Sequence, residues 1–252
     1  GPTGSGKTTT LYSLLAILNK PGVKIITVED PIEYRLKGIL QTQTDDKKGY
    51  SFPKALRALL RQNPDIMMIG EIRDDETAQI AVQASLTGHL VLSTLHTNNA
   101  PGSVQRLINM GVSATDIASS VNAFMAQRLV RTLCPQCKKK ITPSPEVKTH
   151  IEKILHGISP KAEIEVPKEI GQIFEAVGCL KCNNIGYKGR TTVSEVLSMT
   201  KEMEELITKQ PTTSEVEELA IAQGMITMPQ DGILKVLEGI TTMEEVERVT
   251  DE

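Results

Sequence analysis

The first eight residues, Gly1-Pro2-Thr3-Gly4-Ser5-Gly6-Lys7-Thr8, constrain this chain more than any other stretch. Gly1 and Gly6 bracket four residues and Lys7-Thr8 closes the pattern, the spacing of a phosphate-binding loop. Glycines let backbone N–H groups turn onto phosphate oxygens where a side chain would clash. On this reading Gly1, Pro2, Thr3, Gly4, Ser5, Gly6, Lys7, Thr8 and Thr9 form a nucleotide cradle. Lys7 brings a point charge to the β- and γ-phosphates, and the Thr8 hydroxyl is placed to hold Mg²⁺. Thr9 to Leu18 reads as a helix whose N-terminus faces the same anion, which argues against a chance glycine-rich turn. The chain opens on the loop's own first glycine, so the strand expected to feed the loop is missing and we expect a piece of a longer subunit.

Beyond Pro21-Gly22 the pattern alternates. Val23–Val28 reads as a buried strand ending at Glu29-Asp30-Pro31, and a polar, irregular stretch follows around Asp45–Tyr50. Ser51 is placed to cap a helix from Pro53 to Gln62, which Asn63-Pro64 stops. Ile66–Ile69 is a second strand, running into Gly70-Glu71-Ile72-Arg73-Asp74. Asp74 can cap a helix over 75–86 that Gly88 terminates. His89–His96 reads as a third strand, and helices are expected over 101–110 and from Ala114 to about Arg131, the latter opening on Ser113-x-x-Asp116, an acidic variant of the capping box. Strands alternating with helices predict an α/β fold, a mostly parallel sheet with helices on both faces. Composition shifts at Leu133, where a Pro- and charge-rich segment runs to about Glu175. A strand is expected over 190–197, then four short helices, with Thr212-x-x-Glu215 and Thr242-x-x-Glu245 as capping boxes.

In open parallel sheets ligands sit at the carboxyl ends of the strands, and here those ends carry Glu29-Asp30, Glu71 and His96. Glu71 is the first choice for the group that activates water, with an ion pair to Arg73 as the structural alternative. Glu29 and Asp30 are second candidates, for polarising water or orienting the metal, against a plain role in capping the polar loop. His96, among Thr94, Thr97, Asn98 and Asn99, is placed to sense a γ-phosphate. His89 lies at the far end of the same strand and suits packing or a neighbouring subunit. Arg57 and Arg61, four apart on one helix face, are placed to clamp phosphates or reach another subunit, or to be an ordinary surface pair.

All four cysteines fall in two Cys-x-x-Cys knuckles, Cys134/Cys137 and Cys179/Cys182. Such knuckles close a tetrahedral S₄ zinc site whose role is folding, with two redox pairs as the weaker alternative. The balance of 28 basic against 31 acidic residues, with no Trp and few other aromatics, argues against a nucleic-acid partner. No apolar run is long enough to span a membrane.

The run Leu60-Arg61-Gln62-Asn63-Pro64-Asp65-Ile66-Met67-Met68-Ile69-Gly70-Glu71-Ile72-Arg73-Asp74 resembles the signature of the bacterial secretion (traffic) ATPases. Thr27–Tyr34 is similar to that family's aspartate box and Thr87–Thr97 to its histidine box; Gly186–Arg190 and Gly239–Thr242 also fit. The resemblance implies a RecA-like P-loop NTPase core over 1–132, a tetracysteine zinc subdomain over 133–190 and a C-terminal helical subdomain over 191–252. It implies ATP hydrolysis driving type II secretion or type IV pilus assembly by a hexamer that acts on an inner-membrane platform protein from the cytoplasmic face. Glu71 then takes the Walker B position, Glu29 assists, and His96 and His89 belong to the histidine box. The tetracysteine insert resembles that of the extension and secretion branch rather than the retraction branch. Family members carry an N-terminal domain that adds arginines and adenine contacts, so residues 1–252 alone are expected to bind ATP weakly and turn over little. A nucleic-acid motor on the same core, or a nucleotide-binding scaffold without turnover, are the competing readings.

Overall fold

A computed structural model describes residues 1–167 and 169–250. By internal contacts the chain groups into two units. The first holds Gly1, 6–124 and 199–216, and the second holds 2–5, 125–198 and 217–252.

The first unit is built on a four-stranded, all-parallel sheet of β1 (Ile25–Glu29), β2 (Leu40–Gln43), β3 (Ile66–Ile69) and β4 (Leu90–Ser93), in the order β2-β1-β3-β4. β1 and β3 are buried at every position, as strands covered on both faces must be. Ile25, Ile66 and Met68 pack against Leu11, Tyr12 and Leu15 of α1 (Lys7–Leu18). Strand alternation sends Ile26, Val28, Met67 and Ile69 to the other face. There α2 (Phe52–Leu60) packs on β1, and α3 (Asp75–Leu86) lies against α2 and β4. β2 has no counterpart in the sequence reading: its Leu-Gln-Thr-Gln sequence lacks an apolar run because it is an edge strand, and its one buried residue, Gln41, serves a polar network.

Caps were legible. Asp74 accepts the backbone N–H of Thr77 at 2.8 Å, and Ser113 accepts that of Asp116 at 3.0 Å. Ser51 sits at the N-cap of α2 without a side-chain capping bond. α4 spans Pro101–Asn109. The helix expected from Ala114 to Arg131 is a correction: α5 ends at Ser120, and Ala123–Leu133 is a long strand, β5. Phe124, Ala126, Arg128 and Val130 are all buried on one side of it. An arginine in the buried row and an exposed Met125 hide the period-2 signal.

β5 pairs with β8 (Tyr187–Ser198), and β6 (Lys139–Ile141) pairs antiparallel with β7 (Ile173–Glu175). The charged segment after the first knuckle contains α6 (Pro145–His156), capped by Ser144 and opened by Pro145. Its Ile151 and Leu155 enter a core with Ile173, Ile233, Val236 and Val246. The four C-terminal helices are α7 (Lys201–Thr208), α8 (Thr213–Ala222), α9 (Met228–Leu237) and α10 (Met243–Thr250). Thr212 and Glu215 form the expected reciprocal box. At Thr242 only half of the expected box is present: Glu245 N–H reaches the Thr242 hydroxyl at 3.4 Å, while the Glu245 carboxylate turns to Arg131 and Arg248.

Candidate functional site

The loop's geometry follows from its glycines. Gly4 and Gly6 have φ of 81° and 90°, the left-handed region that other residues rarely adopt, and Gly6 is the N-cap of α1. Four N–H groups at that helix end lack intrahelical partners and point where an anion would sit. Lys7 donates from Nζ to the Gly1 carbonyl at 2.6 Å, and the Gly1 nitrogen lies 3.2 Å from the Leu95 carbonyl oxygen. The lysine of the loop is thereby tied to the residue that precedes His96, just beyond the carboxyl end of β4.

His96 in turn meets Glu71. Its Nε2 lies 3.1 Å from Glu71 Oε2, and the other carboxylate oxygen is bonded by Arg73 Nη2. A carboxylate only accepts, so Nε2 carries the proton. Gly70 lets β3 run this close to β1: a Cβ there would sit 3.3 Å from the Val28 carbonyl. The hydrogen bond from Arg73 holds the Glu71 carboxyl below the usual carboxylate range, against burial and with help from His96, so Glu71 is ionised at neutral pH. Glu71 and Arg73 open onto a cleft of ≈ 570 Å³ shared with Asp30, Asp46 and Asp74. Asp30 lies 3.7 Å from Arg73 Nη1. Both readings weighed for Glu71 coexist here, since it is ion-paired and also at the cleft.

Glu29 is placed differently from the sequence expectation. It is 2% exposed, and its carboxylate takes hydrogen bonds from Tyr12, from the Thr27 hydroxyl at 2.5 Å and from Gln41 Nε2 at 3.1 Å. Burial first, and then the Glu29 bond, hold the Tyr12 hydroxyl protonated well above its ordinary range. Sequence reasoning missed Tyr12 and Gln41. The available signal was a tyrosine on the apolar face of the helix that follows the loop.

His89 faces the end of α3: its Nδ1 is 2.9 Å from the Ala84 carbonyl and 3.2 Å from the Thr87 hydroxyl. Arg57 pairs with Glu76 between α2 and α3, on an exposed surface where such pairs contribute little. Arg61 is the exposed C-cap residue of α2. The structure brings Gly1, Lys7, His96 and Glu71 together and leaves His89, Arg57 and Arg61 on local helix contacts.

The four cysteines converge. Their sulfurs lie within 4.8 Å of one another, with 4.0 Å for Cys134–Cys179, 3.8 Å for Cys137–Cys182 and 3.8 Å for Cys179–Cys182. A tetrahedral ion with metal–sulfur bonds of about 2.3 Å requires edges of about 3.8 Å, so the residues fit such a metal. Cys182 Sγ also accepts the N–H of Cys179 at 3.2 Å and of Gly186 at 3.3 Å. Burial raises this thiol, but those two bonds and the neighbouring cysteines outweigh it and bring it to about 6. Burial raises the Cys137 thiol to about 12, so Cys182 is the sulfur that the protein itself favours as the thiolate a metal needs.

Comparison with known proteins places this geometry among relatives. The family described as "Type II/IV secretion system protein" matches residues 1–248. The chain is 48% identical over 248 residues to the type IV pilus assembly ATPase PilB of Myxococcus xanthus, covering 98% of this chain and 42% of that protein. It is 50% identical over 252 residues to the type II secretion system protein E of Pseudomonas aeruginosa, covering 100% and 48%. The chain thus spans less than half the length of these relatives. Among solved structures, the pilus retraction motor PilT with bound ADP aligns with a TM-score of 0.69 at 26% identity, over 100% of this chain and 60% of PilT. The ATPase DotB of Legionella pneumophila aligns at 0.67 and 23% identity, over 100% and 58%, which speaks for the fold.

Proposed function

Since the chain belongs to the type II/IV secretion system protein family, we propose that it is the ATP-hydrolysing part of a motor for type IV pilus assembly or type II secretion. The observation that carries the reading is the chain of contacts from Lys7 through Gly1 and Leu95 to the His96–Glu71 pair. It joins a phosphate-binding lysine to an ionised carboxylate at one sheet edge, the layout phosphoryl transfer to water requires. Gly1–Thr9 cradle the phosphates and the Thr8 hydroxyl holds Mg²⁺, which neutralises charge on the phosphate oxygens. Glu71 receives the proton of the attacking water. His96, bonded to Glu71 through Nε2–H, is the group that exchanges that bond for a γ-phosphate oxygen and so reports its presence.

Glu29 acts from behind the site, holding α1 to β1 through Tyr12. The four cysteines hold a structural zinc ion, coordinatively full and without a catalytic step. Among the described residues no helix is long and apolar enough to cross a membrane. We read the working form as a homo-oligomer, a hexamer by the resemblance, that acts on a membrane platform protein from the cytoplasmic face of the inner membrane.

Glu71→Gln tests the assignment. The variant should bind ATP within a few-fold of wild type while hydrolysis falls by 10² or more, as expected for loss of a general base. A Glu71→Gln protein that still turns over ATP at the wild-type rate would refute the role given to Glu71.

A further inference from the structure

The nucleotide reading assigns nothing to β5, yet that strand holds the phosphate loop. Gln127, 3% exposed in the middle of β5, donates from Nε2 to the Ser5 carbonyl at 2.7 Å, across 122 residues of sequence. Ser5 is equally buried, and its hydroxyl has no hydrogen-bond partner among the described residues. Buried polar groups in folded proteins are nearly always bonded. The Ser5 hydroxyl is closed off from solvent and faces the interior, so the tie between the loop and β5 runs through the Ser5 carbonyl. Pro2–Ser5 cluster with β5 in the same unit, and Ser5 N–H closes the loop on the Pro2 carbonyl at 3.3 Å.

We propose that Gln127 is a positioning residue of the nucleotide site, holding the Ser5 carbonyl so that the loop keeps the shape in which its backbone N–H groups meet phosphate oxygens. The inference rests on the nucleotide reading above and extends it to a strand outside the loop motif. The amide is the right chemistry. A glutamate would set an acceptor against the carbonyl, and a lysine would bring a second cation that competes for the phosphates. Residue 127 also points to the opposite side of the strand from Phe124, Ala126, Arg128 and Val130. Its link to the loop is thus separable from the packing of β5.

ADP binding and steady-state ATP hydrolysis of Gln127→Leu and Val130→Ala, each in the full-length protein, separate the two. Gln127→Leu should weaken ADP binding and raise KM for ATP on the order of tenfold, with kcat within about twofold of wild type. Val130→Ala, which removes methyl groups from a fully buried position, should lower the unfolding midpoint and leave ADP affinity and KM unchanged. Wild-type KM in Gln127→Leu, or an equal rise in Val130→Ala, overturns the proposal. Should Gln127→Leu fail to fold, the near-isosteric Gln127→Glu serves: a wild-type KM there overturns the proposal just as well. A wild-type protein that binds no ADP sinks the ATPase reading itself, whereas wild-type binding with unaffected variants sinks only the role of Gln127.

Discussion

Glu29 and Glu71 are both carboxylates at the carboxyl ends of adjacent strands, and their surroundings separate them. Glu71 shares its oxygens between His96 and Arg73 at an open cleft. Glu29 accepts from Tyr12, Thr27 and Gln41 in a closed interior. A buried carboxylate with three donors costs little to keep, and one that loses a donor costs much more. Tyr12→Phe keeps the ring and removes only the hydroxyl, so it should destabilise the protein by about 2 kcal/mol, read as a lower urea midpoint at unchanged m-value. An unchanged midpoint would mean that the Tyr12–Glu29 bond does not hold α1 to the sheet. Arg128 is the opposite case: it is 6% exposed, and its Nε and Nη1 have no hydrogen-bond partner among the described residues. Replacing an unpaired buried cation by an apolar side chain of similar length is often stabilising. Arg128→Met should therefore raise the unfolding midpoint, and a large loss of stability would reveal a partner for the guanidinium.

Among the elements, α10 is fastened to β5 by charge. Glu245, 1% exposed, accepts the Arg131 backbone N–H at 2.9 Å and is paired with the Arg131 and Arg248 guanidiniums; Arg131 also stacks 4.2 Å above the Tyr187 ring. Burial raises this carboxyl, but the two arginines and the backbone bond outweigh it and hold it at about 2, against an ordinary value of 4.5. Because the folded value is depressed, the stabilisation is present above pH 4.5 and is lost as pH falls towards 2. It is worth about 3 kcal/mol. Unfolding free energies between pH 6 and pH 3.5 should thus fall more steeply in wild type than in Glu245→Gln, and parallel slopes would contradict the assignment. The same region shows where sequence reasoning stops. β1 and β3 were legible because a doubly covered strand is a mainly apolar run, complete in β3 and interrupted in β1 by Thr27 before its end at Glu29, and the Asp74 and Ser113 caps because a capping side chain acts within three residues. β5 was not, since Arg128 occupies a buried position and Met125 an exposed one. α6 was hidden by its charges, although Ser144-Pro145 is an ordinary helix start. Of the site, the loop and Glu71 were legible as local patterns. Tyr12, Gln41 and Gln127 were not, because each acts on a residue far away in sequence.

At the scale of the whole molecule the question is what completes the site. Asp30, Asp46, Asp74 and Glu71 face one cleft, whereas Lys7 is bonded to Gly1 and Arg73 to Glu71. Transfer of a phosphoryl group to water spreads negative charge over the phosphate oxygens, and a cation supplied in trans is a common way to stabilise it. An acid-rich cleft at Glu71 is therefore better suited to act at a junction between copies than alone. The overall charge of −3 argues separately against a nucleic-acid track for such a motor. ATPase activity per chain in the full-length protein should accordingly rise with protein concentration, in step with the appearance of a ring-sized species by light scattering. It should be indifferent to added DNA at low salt. Full activity in a species with the mass of one chain would rule out assembly as the condition for turnover, and DNA stimulation that collapses with salt would turn the reading towards a nucleic-acid motor.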